Sequence, residues 1–135
     1  MILMKKRILI AEDDPSIRKV MRLRLEHEGF AVFASGDGEE ALQEAEKEQP
    51  DLILLDIKMP RMDGYEACRR MRAMAALGKT PIIIMSGTES QLMRLADRCI
   101  EAGADDWIRK PFQTRELMAK IHRLIKESEE EGDGR

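Results

Sequence analysis

The sequence predicts an α/β fold: a doubly wound, five-stranded parallel sheet in the order 2-1-3-4-5, covered by helices on both faces. Three observations predict it. Short apolar runs alternate five times with amphipathic segments, the pattern of repeated βα units. The run LILL at 52–55 is continuous rather than alternating, as in a strand buried on both faces of a parallel sheet. No G-x-G-x-x-G follows the first strand, which disfavours the six-stranded dinucleotide-binding order, and each crossover must be right-handed.

Taken in order, RILIA at 7–11 reads as the first strand. Pro15 to Glu28 reads as a helix with Ile17, Val20, Met21 and Leu25 on its inward stripe, stopped by Gly29. Asp14 before Pro15 suits an N-cap with proline at the first helical position. Phe30 to Ala34 is the second strand, and Gly38 to Glu48 a helix that Asp37 caps with Glu40 reaching back. The third strand ends on Asp56. A helix from Gly64 to Ala76 follows, with Asp63 and Glu66 at capping-box spacing. PIIIM at 81–85 is the fourth strand. Thr88 then caps a helix carrying Leu92, Leu95, Ala96 and Ile100 inward. Asp106 to Arg109 is the fifth strand, and the last helix runs from Thr114 to about Lys126 with Leu117, Ile121, Leu124 and Ile125 inward.

With 135 residues, 43% of them hydrophobic, the chain suits one well-buried core: a domain over 1–128 and an acidic, frayed tail over 129–135. A net charge of −3 with interspersed signs points to no bulk nucleic-acid or anionic-membrane partner. No apolar run approaches bilayer length and MILMKKR is unlike a secretory signal, so the expected location is the cytoplasm. Cys68 and Cys99 lack metal-ligand spacing and read as buried free thiols, and His27 and His122 as helix-surface residues.

Chemistry gathers at the strand ends, where open α/β sheets bind ligands. Glu12 and Asp13 follow strand one, Asp56 ends strand three, Ser86 follows strand four and Lys110 follows strand five. Converging carboxylates repel, and a hard divalent ion, Mg²⁺, is the simplest remedy. A hydroxyl and an ammonium facing them are what an added phosphoryl group needs. Asp56 is thus expected to act as a nucleophile forming an acyl phosphate, with Lys110 stabilising transferred charge. Each residue alone has a structural explanation; the set is what carries the reading.

RILIAEDDPSIR, LILLDIKMPRMDGYE, PIIIMSG and GADDWIRKPF resemble the successive blocks of the response-regulator receiver domain, the CheY-like superfamily with a flavodoxin-like (βα)5 fold, from about Lys6 to Lys126. The resemblance implies that Glu12 and Asp13 are the acidic pair, Asp56 the phosphoacceptor, Ser86 the switch hydroxyl and Lys110 the characteristic lysine. It also implies that the Lys58 backbone carbonyl completes the metal shell and that Lys110-Pro111 is cis. Trp107 stands where the family usually has Tyr or Phe, at a position implied to switch rotamer with Ser86, and Lys58 overhangs the expected phosphoryl position. An output surface of helix four, strand five and helix five is implied, with Arg94, Arg98, Trp107, Arg109, Arg115 and Lys120 as candidates.

The expected function is therefore a phosphorylation-dependent switch of a two-component system. It is not an enzyme beyond its own phosphoryl transfer and dephosphorylation. A histidine kinase or histidine phosphotransfer protein donates, and a protein target reads the state, with no direct nucleic-acid or membrane contact. A stand-alone form is expected because no second domain is visible after the last helix, although a fragment of a longer protein reads the same way. A phosphorelay intermediate and an aspartyl-phosphate enzyme of similar fold stay open as alternatives; a flavin carrier is disfavoured because acids, not a hydroxyl-rich loop, follow strand one.

Overall fold

A computed structural model describes residues 4–87 and 92–133. Five parallel strands, β1 (Arg7–Ala11), β2 (Ala31–Ser35), β3 (Leu52–Asp56), β4 (Ile82–Ser86) and β5 (Asp106–Arg109), form one sheet in the order β2-β1-β3-β4-β5. The helices are α1 (Pro15–His27), α2 (Gly38–Glu48), α3 (Gly64–Ala73), α4 (Leu92–Ala102) and α5 (Thr114–Asp133), with one 3-10 turn at Ala75–Leu77.

The strand sequences explain the layering. Successive residues point to opposite faces, so a strand apolar at every position feeds two cores. Leu9, Ile53, Leu55, Ile82 and Ile84 pack with Ala41 and Ala45 of α2, Cys68 and Met71 of α3, and Leu95 and Cys99 of α4. Ile8, Ile10, Leu52, Leu54, Ile83 and Met85 pack with Met21 and Leu25 of α1 and Leu117, Ile121, Leu124 and Ile125 of α5. The winding reverses between β1 and β3, which opens the crevice above their C-terminal ends.

Helix caps follow the sequence closely. Asp14 accepts from Ser16 N and Ile17 N, Asp37 from Glu40 N and Asp63 from Glu66 N. The Glu66 carboxylate, expected to reach back toward its cap, instead pairs with Arg69 and Arg70. Three further expectations are corrected. Ile17 and Val20 of α1 are 41% and 50% exposed, because only Met21 and Leu25 reach the sheet. Ile100 of α4 is 68% exposed and Cys99 takes the inward place, one residue round the helix. α5 continues to Asp133 instead of stopping near Lys126, and Glu129, expected in frayed chain, is helical and pairs with Lys6 at 2.7 Å. The expected Thr88 cap lies outside the described residues. Cys68 and Cys99 are buried and outside any disulfide, as expected, and burial pushes the Cys68 thiol up to about 11.

Candidate functional site

The crevice is assembled from four strand ends. After β1 the chain turns through Glu12 and Asp13: Glu12 N–H donates to Ser35 O at 3.0 Å, burying the Glu12 side chain, while Asp13 stays exposed. Asp56, the last residue of β3, is buried, with Met85 of β4 as its register neighbour. Ser86 ends β4 and is also buried. Lys110 follows β5; its N–H donates to Ser86 O at 2.7 Å and so ties the last two strand ends together. Its ammonium lies 2.8 Å from Glu12 Oε1 and 3.3 Å from Asp56 Oδ2. Parallel strands in this order thus bring residues 12, 56 and 110 into direct contact.

One carboxylate oxygen from each of Glu12, Asp13 and Asp56 lies within 4.8 Å of the others. Three negative groups face one ammonium, and the electrostatics show the imbalance. Burial, then the hydrogen bond and charge of Asp56, push the Glu12 carboxyl up to about 6 despite the opposing pull of Lys110. Burial works against the Lys110 charge, but its bond to Glu12 and the charges of Asp56 and Glu12 outweigh it and hold the ammonium above its ordinary value. An all-oxygen donor set with excess negative charge fits a hard divalent cation such as Mg²⁺.

The acids open on a cavity of about 290 Å³ that is also lined by Asp14, Ile17, Ile57, Lys58, Gly87 and Lys110. Lys58 is exposed at this mouth. Gly87 lines the cavity, and Ser86 beside it is buried. Trp107, opposite Ile84 in register, is half-buried against the core that holds α2, α3 and α4. The Lys110-Pro111 bond is cis.

Two residues that matter to this geometry carry no signal in the sequence. Arg18 Nη1 donates to Glu12 O at 2.8 Å and reaches Asp13 O at 3.5 Å, fixing the turn that presents both acids. Arg61 binds Asp37 across the loop that follows Asp56. An arginine facing main-chain oxygen or a remote cap is indistinguishable in sequence from a solvated one.

The profile of the response regulator receiver domain matches residues 8–122. The chain belongs to this family. Among curated proteins, it is 37% identical over 126 residues to the alkaline phosphatase synthesis transcriptional regulatory protein PhoP of Bacillus subtilis, covering 93% of this chain and 51% of that one. The receiver therefore spans about half the length of the curated relatives it matches. Among solved structures, it is similar to a CheY-like receiver domain protein of Methanospirillum hungatei, at 34% identity and a TM-score of 0.86, covering 95% of this chain and 99% of that one. It is likewise similar to the receiver domain of a Pseudomonas aeruginosa sensor histidine kinase, solved with a magnesium ion coordinated in its active-site cleft (34% identity, TM-score 0.83, 91% and 99% covered). The five-stranded order and the family agree: the receiver is a phosphorylation-dependent signalling switch of the two-component type, not a classical enzyme, and an aspartyl-phosphate enzyme or relay reading is not favoured. Among the described residues, no helix is long and apolar enough to cross a membrane.

Proposed function

We propose that Asp56 is the phosphoacceptor, that Glu12, Asp13, Asp56 and the Lys58 backbone carbonyl hold Mg²⁺, and that Lys110 and Ser86 receive the transferred group. The observation that carries this reading is the convergence of three carboxylates and one ammonium on a single open cavity. A carboxylate oxygen of Asp56 attacks the donor's phosphorus, a new O–P bond forms, the donor's bond to phosphorus breaks, and an acyl phosphate remains. Bound Mg²⁺ supplies charge neutralisation of the phosphoryl oxygens. Lys110, already 3.3 Å from Asp56, holds the nucleophile and then pairs with a transferred oxygen. Its backbone N–H is bonded to Ser86 O at the end of β4, where the Ser86 hydroxyl is drawn to the new oxygen and Trp107 responds.

The donor is a histidine kinase or histidine phosphotransfer protein, in the cytoplasm. Its entry is supported by an apolar groove of about 250 Å³ between α1 and α5, where exposed Ile17 and Val20 face Phe112 and Met118; Ile17 and Lys110 line both this groove and the acidic cavity. Output is read by a protein target on α4, β5 and α5. Arg94, Arg109 and Arg115 are exposed there, whereas Arg98 lies over the Tyr65 ring and Lys120 is paired with Asp106.

Incubation with acetyl phosphate and Mg²⁺, followed by intact-mass and peptide mass spectrometry, tests the site. One phosphoryl group on Asp56, absent in Asp56→Asn and absent without metal, is the expected result; phosphate on another residue overturns it.

A further inference from the structure

The loop between β3 and α3, Ile57 to Asp63, carries Lys58 to the mouth of the acidic cavity. Its two ends are fixed by the sheet and by itself: Ile57 N–H donates to Met85 O at 3.1 Å, and Gly64 N–H returns to Ile57 O at 2.9 Å. A Cβ on Gly64 would lie 2.3 Å from Asp56 O, so the return path touches the phosphoacceptor's own backbone.

The tip is held from a different element. Arg61 sits at φ +69°, a left-handed conformation that a side-chain-bearing residue adopts only when its surroundings hold it there. Its Nη1 donates to Asp37 Oδ2 at 2.9 Å, while Asp37 Oδ1 accepts from Glu40 N at 2.8 Å. Asp37 is buried, so one carboxylate both caps α2 and anchors the loop. The next residue makes the seat: a Cβ on Gly38 would stand 2.4 Å from Met62 O and 2.7 Å from Met62 Cβ, so only glycine lets the loop lie this close to α2.

We propose that the Arg61–Asp37 ion pair is a positioning contact that holds the phosphoacceptor loop on α2 and thereby sets the affinity of the acidic cavity for a divalent cation. The inference rests on the metal reading above, in which Lys58 supplies a main-chain oxygen. Neither Arg61 nor Asp37 lines the cavity. Asp37 keeps its cap bond when Arg61 is changed, so the fold survives while the loop tip is released. Contacts made directly to metal ligands commonly change metal affinity by about tenfold or more, which is an upper bound for this more remote one.

The test is Mg²⁺ titration by calorimetry on the full chain, paired with amide hydrogen exchange measured without metal. Arg61→Ala, Arg61→Gly and Asp37→Asn are each expected to weaken Mg²⁺ binding by more than about twofold and up to about tenfold. Asn keeps the cap and Gly relieves the backbone, so a loss common to all three isolates the ion pair. Arg61→Lys restores most of the affinity, and Gly38→Ala, which lifts the loop without touching either charge, reproduces the loss. Metal-free exchange quickens in residues 57–63 and not in β1 or β4. Wild-type binding retained within twofold by Arg61→Gly and Asp37→Asn, or unchanged exchange in the loop, overturns the clamp alone. A wild-type chain that binds no Mg²⁺ overturns the metal reading and the clamp with it.

Discussion

The two edges of the sheet are built on opposite principles. At the N-terminal edge, two arginines are closely matched to partners. Arg72 donates to Gly103 O at 2.8 Å, Leu77 O at 3.0 Å, Thr80 O at 2.6 Å and Asp105 Oδ2 at 2.6 Å, and Asp105 in turn accepts from Ile82 N. Arg7 pairs with Glu48, and its N–H donates to Asp51. At the C-terminal edge, three carboxylates share one ammonium. The difference shows where charge is balanced within the fold and where an excess of negative charge is left for a cation to neutralise.

The largest contrast should come from Asp56→Asn. It removes phosphate uptake altogether, read by intact mass, while thermal melting shows the metal-free fold unchanged or slightly more stable, since one repelling charge is gone. A marked loss of stability would mean that the acid edge is structural. Arg72→Ala should do the reverse. It removes an arginine's bonds to three carbonyls and a carboxylate, costing about 2–3 kcal/mol in urea unfolding, with Asp56 phosphorylation retained in the folded fraction.

A third effect separates the edges by pH. Glu12 is raised from 4.5 to about 6. The native state therefore holds a proton that the unfolded chain releases, so this group's contribution is present below the ordinary glutamate value and is lost as pH rises through about 6. The metal-free protein should lose on the order of 1–2 kcal/mol over that window, and Mg²⁺ should flatten the slope. Urea midpoints at pH 5 and pH 7 (roughly the ends of the window), with and without metal, check both parts. Smallest is Lys58→Ala: removing this exposed side chain from the cavity mouth should change the acyl-phosphate lifetime, and equal decay rates would remove the Lys58 side chain from the chemistry.

The same contrast explains what could be read in advance. Strands β1 and β5 and helix α2 match their sequence readings residue for residue, because apolar runs bounded by caps and glycines leave little latitude. With the strands placed, the residues at the ends of β1, β3, β4 and β5 followed directly, which is why Glu12, Asp13, Asp56, Ser86 and Lys110 could be named together. Helix faces were less legible. A stripe through Ile17 and Val20 has helical spacing, yet the sheet accepts only Met21 and Leu25, and the outer pair borders the groove against α5. On α4 the inward line passes through Leu95 and Cys99, a four-residue step that hydropathy overlooked in favour of Ile100. Acid-rich sequence also concealed the end of α5, where Glu129 finds Lys6. Arg18, Arg61 and Arg72 were invisible because nothing in a linear pattern tells which remote carbonyl or carboxylate an arginine will find.

The bond between Lys110 and Glu12 joins residues 98 positions apart. During synthesis the acids of the first two site strands therefore emerge long before their counter-charge does. A chain interrupted between β3 and β5 would hold the proposed phosphoacceptor, Asp56, without the ammonium that faces it. Under the phosphoacceptor reading, the site is complete only once β5 has followed the other four strands.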